Sequence, residues 1–176
     1  MPQDEEELYS EVKKAIDSPF VEFLGFHFHI GSQLFEKEPY IQALNVTLNH
    51  IKNIKDRYGF DIKEINMGGG FGVTYTDEER KPYSYFIDPL MDRVKEFCKE
   101  ENAELPALVI EPGRSIVAEA GISLYTVGRI KNIPGIRKYV SVDGGMTDNI
   151  RPALYQAEYE GIIANKADYQ RKEQVT

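Results

Sequence analysis

The chain has 176 residues, with 21 lysines and arginines against 29 aspartates and glutamates, so its formal net charge is -8. This length fits one medium domain, or one domain and part of another. The acidic balance argues against a nucleic-acid partner, since the basic residues form no stripe. Its apolar runs are too short to cross a bilayer and its first residues are acidic, so we expect a soluble, cytoplasmic protein.

The first two thirds of the chain alternate predicted helices and strands. Apolar residues at helical spacing predict the helices, and short apolar or β-branched runs predict the strands. Gly59 is a typical stop signal for the second helix. In chain order, the predicted elements are a helix at residues 4–17, a strand at 20–30, a helix at 36–58, a strand at 61–67, a helix at 89–101 and a strand at 107–114.

The composition changes at about residue 116. The runs "SLYTVGRIKNI" and "KYVSVDGG" are rich in β-branched and aromatic residues, and "NIPG" between them indicates a turn. No predicted helix separates the two runs. We therefore expect an α/β layer that ends near residue 120 and an antiparallel β module after it.

The single cysteine, Cys98, lies in a predicted helix. One cysteine excludes an internal disulfide and a cysteine-based metal cluster. We interpret Cys98 as a structural thiol.

Each predicted α/β strand ends in residues that a hydrophobic core does not favour: "HIGS", "GGGFG" and "EPGR". In parallel α/β folds the loops after the strands gather on one face, and barrels of this kind place their active sites there. The three sequences therefore predict a shared site at the carboxyl ends of the strands.

Two histidines lie on one face of the first predicted strand. The period of two puts His27 and His29 toward the barrel interior, with His29 nearest the mouth. For His27 a hydrogen-bonded core position and a site position are both open. A metal-dependent hydrolase that uses both histidines is a further alternative, but the one remaining histidine, His50, lies in a predicted helix, so we expect no metal.

Three further motifs are ambiguous one by one. The run "NMGGGFG" offers backbone N–H groups to an anion, although a plain tight turn explains it too. In "EPGR", Glu111 and Arg114 either close a loop as an ion pair or serve a site. In "DNIRPALY", Arg151 and Tyr155 are four apart on one face of a short predicted helix that Pro152 opens, where a guanidinium can bind a carboxylate.

Taken together, "HIGSQ", "GGGFG", "EPGRSIVAEAG" and "VDGGMTDNIRPALY" resemble the pyridoxal-phosphate decarboxylases of the alanine-racemase-like barrel group. The resemblance runs from about residue 18 to the end. It is greatest to the members that convert meso-diaminopimelate to lysine and carbon dioxide. It implies an α/β fold: part of a (β/α)8 TIM-type barrel, roughly its last three strands, over residues 1–118, and the beginning of an antiparallel β domain over residues 119–176.

The resemblance also implies a cofactor, pyridoxal 5'-phosphate, and roles for individual residues. His29 would stack on the cofactor ring, and Glu111 would pair with the pyridine nitrogen; these two are the expected catalytic residues. The role of Arg114 is open between phosphate and substrate. The other expected roles are phosphate binding by Ser32, Gly69, Gly70 and Gly113, and substrate-carboxylate binding by Arg114, Arg151 and Tyr155.

Two motifs of the family are absent from the 176 residues. One carries the Schiff-base lysine in a Tyr-Ala-x-Lys-Ala-type string, and the other is a Cys-Glu-Ser-Gly-Asp string that completes the substrate site across a dimer interface. We therefore expect an incomplete piece of the enzyme that is inactive alone. A part-barrel leaves strand edges unpaired, which predicts self-association, a homodimer being the expected form.

Three alternatives remain for the function. A related decarboxylase would act on arginine, ornithine or a polyamine precursor instead. A non-catalytic interaction module would explain the missing lysine, and a metal-dependent hydrolase would use His27 and His29.

Overall fold

The computed structural model describes residues 5–170, which divide into two compact units. The first unit runs up to Val73 and continues over Glu79–Ala118. The second unit consists of the short segment Thr74–Glu78 and the chain from Glu119 onward. The predicted second domain also begins at residue 119, but Thr74–Glu78 lies within the predicted first domain.

The first unit is built from three parallel strands and the helices between them. The sheet order is β1-β2-β3, and Phe26, Ile65 and Leu108 are neighbours in register. The elements in chain order are α1 (Glu5–Asp17), β1 (Gly25–His27), α2 (Glu38–Tyr58), β2 (Glu64–Asn66), α3 (Tyr83–Glu100), β3 (Ala107–Val109) and the short helix α4 (Gly113–Val117). The predicted order of helices and strands is therefore confirmed, although each regular strand is only three residues long.

Most of the buried side chains of this unit lie where α2 and α3 pack on the sheet. One face of each helix contributes residues four positions apart, such as Leu44 and Leu48 in α2 and Phe86 and Leu90 in α3. A smaller cluster of Tyr9, Val12 and Ile54 joins α1 to α2. The large cluster contains Tyr40, Leu44, Leu48, Ile51, Ile62, Ile65, Met67, Phe71, Phe86, Leu90, Val94, Phe97 and Cys98.

The ends of α2 and α3 differ in how well the sequence predicts them. Gly59 ends α2 in the left-handed conformation with φ 61°, and its N–H bonds the carbonyl of Lys55, as the stop signal predicts. Helix α3 begins at Tyr83, six residues before the predicted start at Pro89. Proline inside a helix costs a hydrogen bond, but Phe86 is buried against both Tyr40 and Phe71, and this packing extends the helix across the proline.

The second unit contains an antiparallel pair, β4 (Val127–Ile133) and β5 (Arg137–Val142). Gly135 has φ 73° in the connecting turn, where the "NIPG" sequence predicts it. Helix α5 (Arg151–Tyr155) follows, with proline in its first turn as predicted. A 3-10 turn at Ala118–Ala120 follows α4, and another lies at Ala164–Lys166; neither was predicted. Among the described residues, no helix is long and apolar enough to cross a membrane.

Candidate functional site

The carboxyl ends of the three parallel strands lie side by side and bring the first three motifs together. The Phe28 N–H donates to the carbonyl of Asn66 at 3.0 Å, and the Met67 N–H donates to that of Val109 at 2.9 Å. One residue further along, the Glu111 N–H donates to the carbonyl of Gly68 at 2.7 Å. The loops that carry His29, the glycines and Glu111 therefore meet at one edge of the sheet, the edge formed by the carboxyl ends of its strands, as the sequence predicts.

The glycine loop contacts its neighbours through backbone alone. A Cβ atom added to Gly69 would lie 2.0 Å from the carbonyl oxygen of Glu111, and one added to Gly70 would lie 2.0 Å from that of Gly31. Gly70 also has φ 94°, which L side chains rarely adopt. These positions require glycine because of close backbone approach, and phosphate binding by the loop stays a prediction.

Glu111 lies on the exposed side of this edge with two described neighbours. Its Oε1 accepts a hydrogen bond from Nδ2 of Asn66 at 2.8 Å, and its Oε2 is 3.7 Å from Nε2 of His27. The Asn66 amide cannot rotate freely, because its Oδ1 accepts the Gly68 N–H at 2.9 Å. Asn66 thus orients the Glu111 carboxylate, which remains 56% exposed and can still accept a further hydrogen bond.

His29 is exposed beside the glycine loop. The Gly69 N–H points at its Nδ1 at 3.4 Å, so a neutral ring carries its proton on Nε2. The flat faces of the ring are thus oriented by the same loop that Glu111 contacts. His29 and Glu111, the two residues expected to act on one cofactor ring, are brought to the same sheet edge.

His27 is exposed as well, with 54% of its side chain accessible. The described residues thus do not bury His27 in a core, and its predicted place in the interior of a complete barrel stays a prediction. The ring is exposed because the helices and the core pack on the other sheet face, through Phe26, Phe28 and Ile30. The face that carries the histidines lies opposite that packing.

The remaining predicted phosphate residues flank the glycines. Ser32 is exposed, and its Cα would lie 3.4 Å from a Cβ at Gly70. Gly113 opens α4, and its N–H donates to the Glu111 carbonyl at 2.9 Å. Arg114 is half-buried in the first turn of α4.

Helix α4 is fixed by hydrogen bonds around Ser115. Ser115 is buried, and its hydroxyl lies 2.8 Å from the Tyr83 hydroxyl and 3.1 Å from the Pro112 carbonyl. Arg80 donates to the Ser115 carbonyl at 2.9 Å. The loop that carries Glu111 is thus tied to α3 by side chains that the sequence analysis did not single out.

Arg151 and Tyr155 lie in the second unit. The Arg151 guanidinium carbon is 6.0 Å from the ring centroid of Tyr155 and 5.6 Å from that of Tyr75. The Arg151 Nε atom is buried and has no hydrogen-bond partner among the described residues. Both rings therefore orient the guanidinium through cation–π contact, and the predicted four-residue spacing of Arg151 and Tyr155 does bring them together.

Tyr75 was missed by sequence reasoning, and its own position is well fixed. Its ring contacts that of Tyr159 with centroids 5.1 Å apart. The Glu78 carboxylate accepts the N–H groups of Tyr75 and Thr76 at 3.0 and 2.9 Å. These backbone hydrogen bonds, that of Thr76 first, lower the pKa of Glu78 below its ordinary 4.5.

The described residues hold no group of three or more histidine, cysteine, aspartate or glutamate side chains that could bind a metal ion. Cys98 is buried in α3, with its Sγ 3.4 Å from the Glu104 carbonyl. Burial raises the pKa of Cys98 above 9.0, which disfavours the reactive thiolate and agrees with a structural role.

Known proteins identify the class to which this fold and site belong. A family model described as pyridoxal-dependent decarboxylase, pyridoxal binding domain, matches residues 3–118. The chain therefore belongs to the pyridoxal-dependent decarboxylases. The resemblance found in the sequence is confirmed, and so is the predicted fold class, part of a TIM-type barrel followed by an antiparallel β domain.

Individual relatives carry a more specific name. Diaminopimelate decarboxylase of Bacillus methanolicus is 46% identical over 153 residues, which are 86% of this chain and 35% of that protein. The Bacillus subtilis enzyme of the same name is 44% identical over 156 residues, 88% of this chain and 36% of that protein. The chain thus spans about a third of the length of the curated relatives it matches.

A solved structure agrees with these relatives. The crystal structure of diaminopimelate decarboxylase from M. jannaschii in co-complex with L-lysine superposes with a TM-score of 0.76 at 34% identity. The superposition covers 87% of this chain and 35% of that one.

Proposed function

We propose that this chain forms part of the active site of a diaminopimelate decarboxylase, which converts meso-diaminopimelate to L-lysine and carbon dioxide. The observation that carries the proposal is the meeting of His29, the glycine loop and Glu111 at one edge of the parallel sheet. The names and identities of the relatives support the same activity. We also propose the cytoplasmic location that the sequence predicts.

The residues at the sheet edge fit pyridoxal 5'-phosphate. The glycine loop has no side chains that would block an anion, and exposed Ser32 lies beside Gly70. In the proposal Ser32, Gly69, Gly70 and Gly113 hold the phosphate, while Arg114 binds either phosphate or substrate. When bound, the cofactor draws electrons away from the α-carbon as carbon dioxide leaves.

Glu111 and His29 would orient the ring of that cofactor. The Glu111 carboxylate, oriented by Asn66, would accept a hydrogen bond from the protonated pyridine nitrogen and so keep the proton there. The exposed His29 ring would lie against the flat face of the cofactor and limit its rotation.

Arg151 and Tyr155 would bind a substrate carboxylate. A guanidinium presents two parallel N–H groups to a carboxylate, and the rings of Tyr75 and Tyr155 already limit its rotation. Diaminopimelate has a second carboxylate that ornithine and arginine lack, so an added anion clamp favours diaminopimelate. A homodimer is the expected partner arrangement.

A segment exchange tests the function. Residues 18–170 would replace the matching segment of the Bacillus subtilis enzyme, and carbon dioxide release would be measured from meso-diaminopimelate, L-ornithine and L-arginine. We expect activity with meso-diaminopimelate. The unmodified 176-residue chain should release none, because it has no Tyr-Ala-x-Lys-Ala string. Faster release from ornithine or arginine would contradict the proposed substrate, and an inactive but folded hybrid that binds no cofactor would contradict the cofactor site.

The two histidines provide a matched pair of variants in that hybrid. His29→Ala should weaken pyridoxal 5'-phosphate binding roughly 3- to 10-fold, because an aromatic contact contributes about 0.5–1.5 kcal/mol. Cofactor absorbance titrations measure this change. His27→Ala is the control: in the same hybrid it should leave pyridoxal 5'-phosphate binding unchanged. In the 176-residue chain, where the ring is exposed, it should change the unfolding free energy by no more than about 0.5 kcal/mol. Loss of cofactor with His27→Ala alone would mean that the two roles are reversed.

A further inference from the structure

Tyr40, near the start of α2, reaches the glycine loop from the core side. Its side chain is fully buried, and its hydroxyl donates to the carbonyl oxygen of Gly69 at 2.9 Å. The ring is stacked on Phe71 with centroids 5.5 Å apart and meets Phe86 edge-on at 5.7 Å. Burial raises the pKa of Tyr40 to about 12, so the phenol stays a neutral donor at neutral pH.

This hydrogen bond fixes the direction of one peptide group. In a trans peptide the carbonyl and the N–H point in opposite directions, and the described chain contains no cis peptide bond. Because the Gly69 carbonyl points at Tyr40 in the core, the N–H of Gly70 in the same peptide points away from the core. No described residue between 5 and 170 accepts a hydrogen bond from that N–H.

The two neighbouring carbonyls are held in the same way. Gly68 accepts the Glu111 N–H at 2.7 Å, and Gly70 accepts the Leu34 N–H at 2.9 Å. Three successive carbonyl oxygens are therefore engaged by protein donors. Only the middle one depends on a side chain, so Tyr40 is the one place where a substitution can release a carbonyl of the loop without altering its backbone.

We propose that Tyr40 is a positioning residue, which turns the Gly69–Gly70 peptide so that its N–H is presented to the phosphate of the cofactor. This inference rests on the proposed function, because it takes the glycine loop as the phosphate site. Tyr40 is fully buried on the core side of the loop, so it would act only through the peptide. In a purely structural role, the carbonyl of Gly69 would serve only as an acceptor for the buried Tyr40 hydroxyl, and the direction of the Gly70 N–H would not affect phosphate binding.

The test compares the 176-residue chain with its Tyr40→Phe variant by NMR. The first readout is the carbonyl carbon shift of Gly69 and the amide shift of Gly70 without ligand, which report the peptide directly. The second is the dissociation constant from titrating the Gly70 amide with inorganic phosphate and with pyridoxal 5'-phosphate. Both shifts should change in the variant, and both ligands should bind about two- to tenfold more weakly, in line with the loss of one hydrogen bond.

Tyr58→Phe is the matched control. Tyr58 also donates to a backbone carbonyl, that of Tyr9 at 3.0 Å, but in the smaller core cluster. Its loss should lower the melting temperature and leave the phosphate titration unchanged. Thermal melts of both variants show that each is folded.

The outcomes distinguish the role of Tyr40 from the existence of the cofactor site. Unchanged Gly69 and Gly70 shifts in Tyr40→Phe, or changed shifts with undiminished binding of both ligands, would overturn the role of Tyr40 while leaving the cofactor site intact. A wild-type chain in which neither ligand moves the Gly70 amide would overturn the cofactor site itself, and the role of Tyr40 with it. Equal weakening by Tyr58→Phe would reduce the effect to general stability and also overturn the inference.

Discussion

Individual glycines of the site differ sharply in how much room they have. A Cβ at Gly69 would overlap the Glu111 carbonyl oxygen, whereas one at Gly113 would have no neighbour within 4 Å. We predict that Gly69→Ala lowers the free energy of unfolding by about 1–3 kcal/mol or more, because backbone atoms must move apart. Urea denaturation measures the change.

Gly113→Ala is the control for that substitution. Gly113 is the first residue of α4, and alanine favours helix there. The unfolding free energy of the Gly113→Ala variant should therefore stay the same or rise slightly. Equal destabilisation by both substitutions would mean that the close packing of the glycine loop against Glu111 does not contribute to stability.

At this scale the sequence predicts the candidate site residues but not the buried residues that contact them. His29, Gly69, Gly70 and Glu111 were predicted because their types are unusual at strand ends, and the structure brings them together. Tyr40 was missed because aromatic residues are common in helices and only the fold shows where the hydroxyl points.

Segments between the regular elements contact candidate site residues, and Thr74–Glu78, whose Tyr75 ring lies against the Arg151 guanidinium, is the clearest case. The Glu78 pKa lies below 4.5, so the ionised carboxylate is favoured in the folded state. The contribution of this carboxylate to the stability of the folded state is present above pH 4.5 and is lost as the pH falls through the lower pKa of the folded state. We predict that the Thr76 amide shift changes in that range, while amides in the core of α2 do not, as measured by NMR.

Two variants check this assignment. Glu78→Gln should abolish the acid-dependent change of the Thr76 amide, because glutamine does not titrate. Asp77→Asn, which alters the adjacent exposed carboxylate, should retain it. Persistence of the change in Glu78→Gln would show that another group causes it.

Elements were predicted well where local signals dominate and less well where distant packing decides. Helix α2 ends at Gly59 because glycine alone tolerates that conformation easily, and the signal is visible in the sequence. The predicted start of α3 was wrong because Phe86 packs on Tyr40 and Phe71, which lie in other parts of the chain. The strand at residues 20–30 is regular only over Gly25–His27, since pairing requires a neighbour and β2 itself is three residues long.

Across the whole molecule, the sheet leaves two open edges. β2 is paired on both sides, but among the described strands β1 and β3 each have one neighbour. Many large apolar side chains are also exposed, including Phe20, Ile122 and Leu124. We predict that the 176-residue chain forms dimers or larger assemblies, because unpaired edges and apolar surface favour association. Light scattering across a concentration series measures this.

A charged edge variant gives the comparison. Ala107 is exposed at the start of β3, and Ala107→Lys should lower the average mass because a charge on an edge strand opposes strand pairing. A single monomeric species for the unmodified chain at all concentrations would contradict the prediction.

The assignment of Thr74–Glu78 to the second unit has a consequence for any attempt to treat the units as separable modules. The chain passes from one unit to the other three times, after Val73, after Glu78 and after Ala118. A cut at Ala118 would leave Tyr75 on one piece and its ring and guanidinium partners, Tyr159 and Arg151, on the other. Recombination at that point would therefore exchange a β module without the tyrosine that orients its arginine, unless both parents supplied a compatible loop.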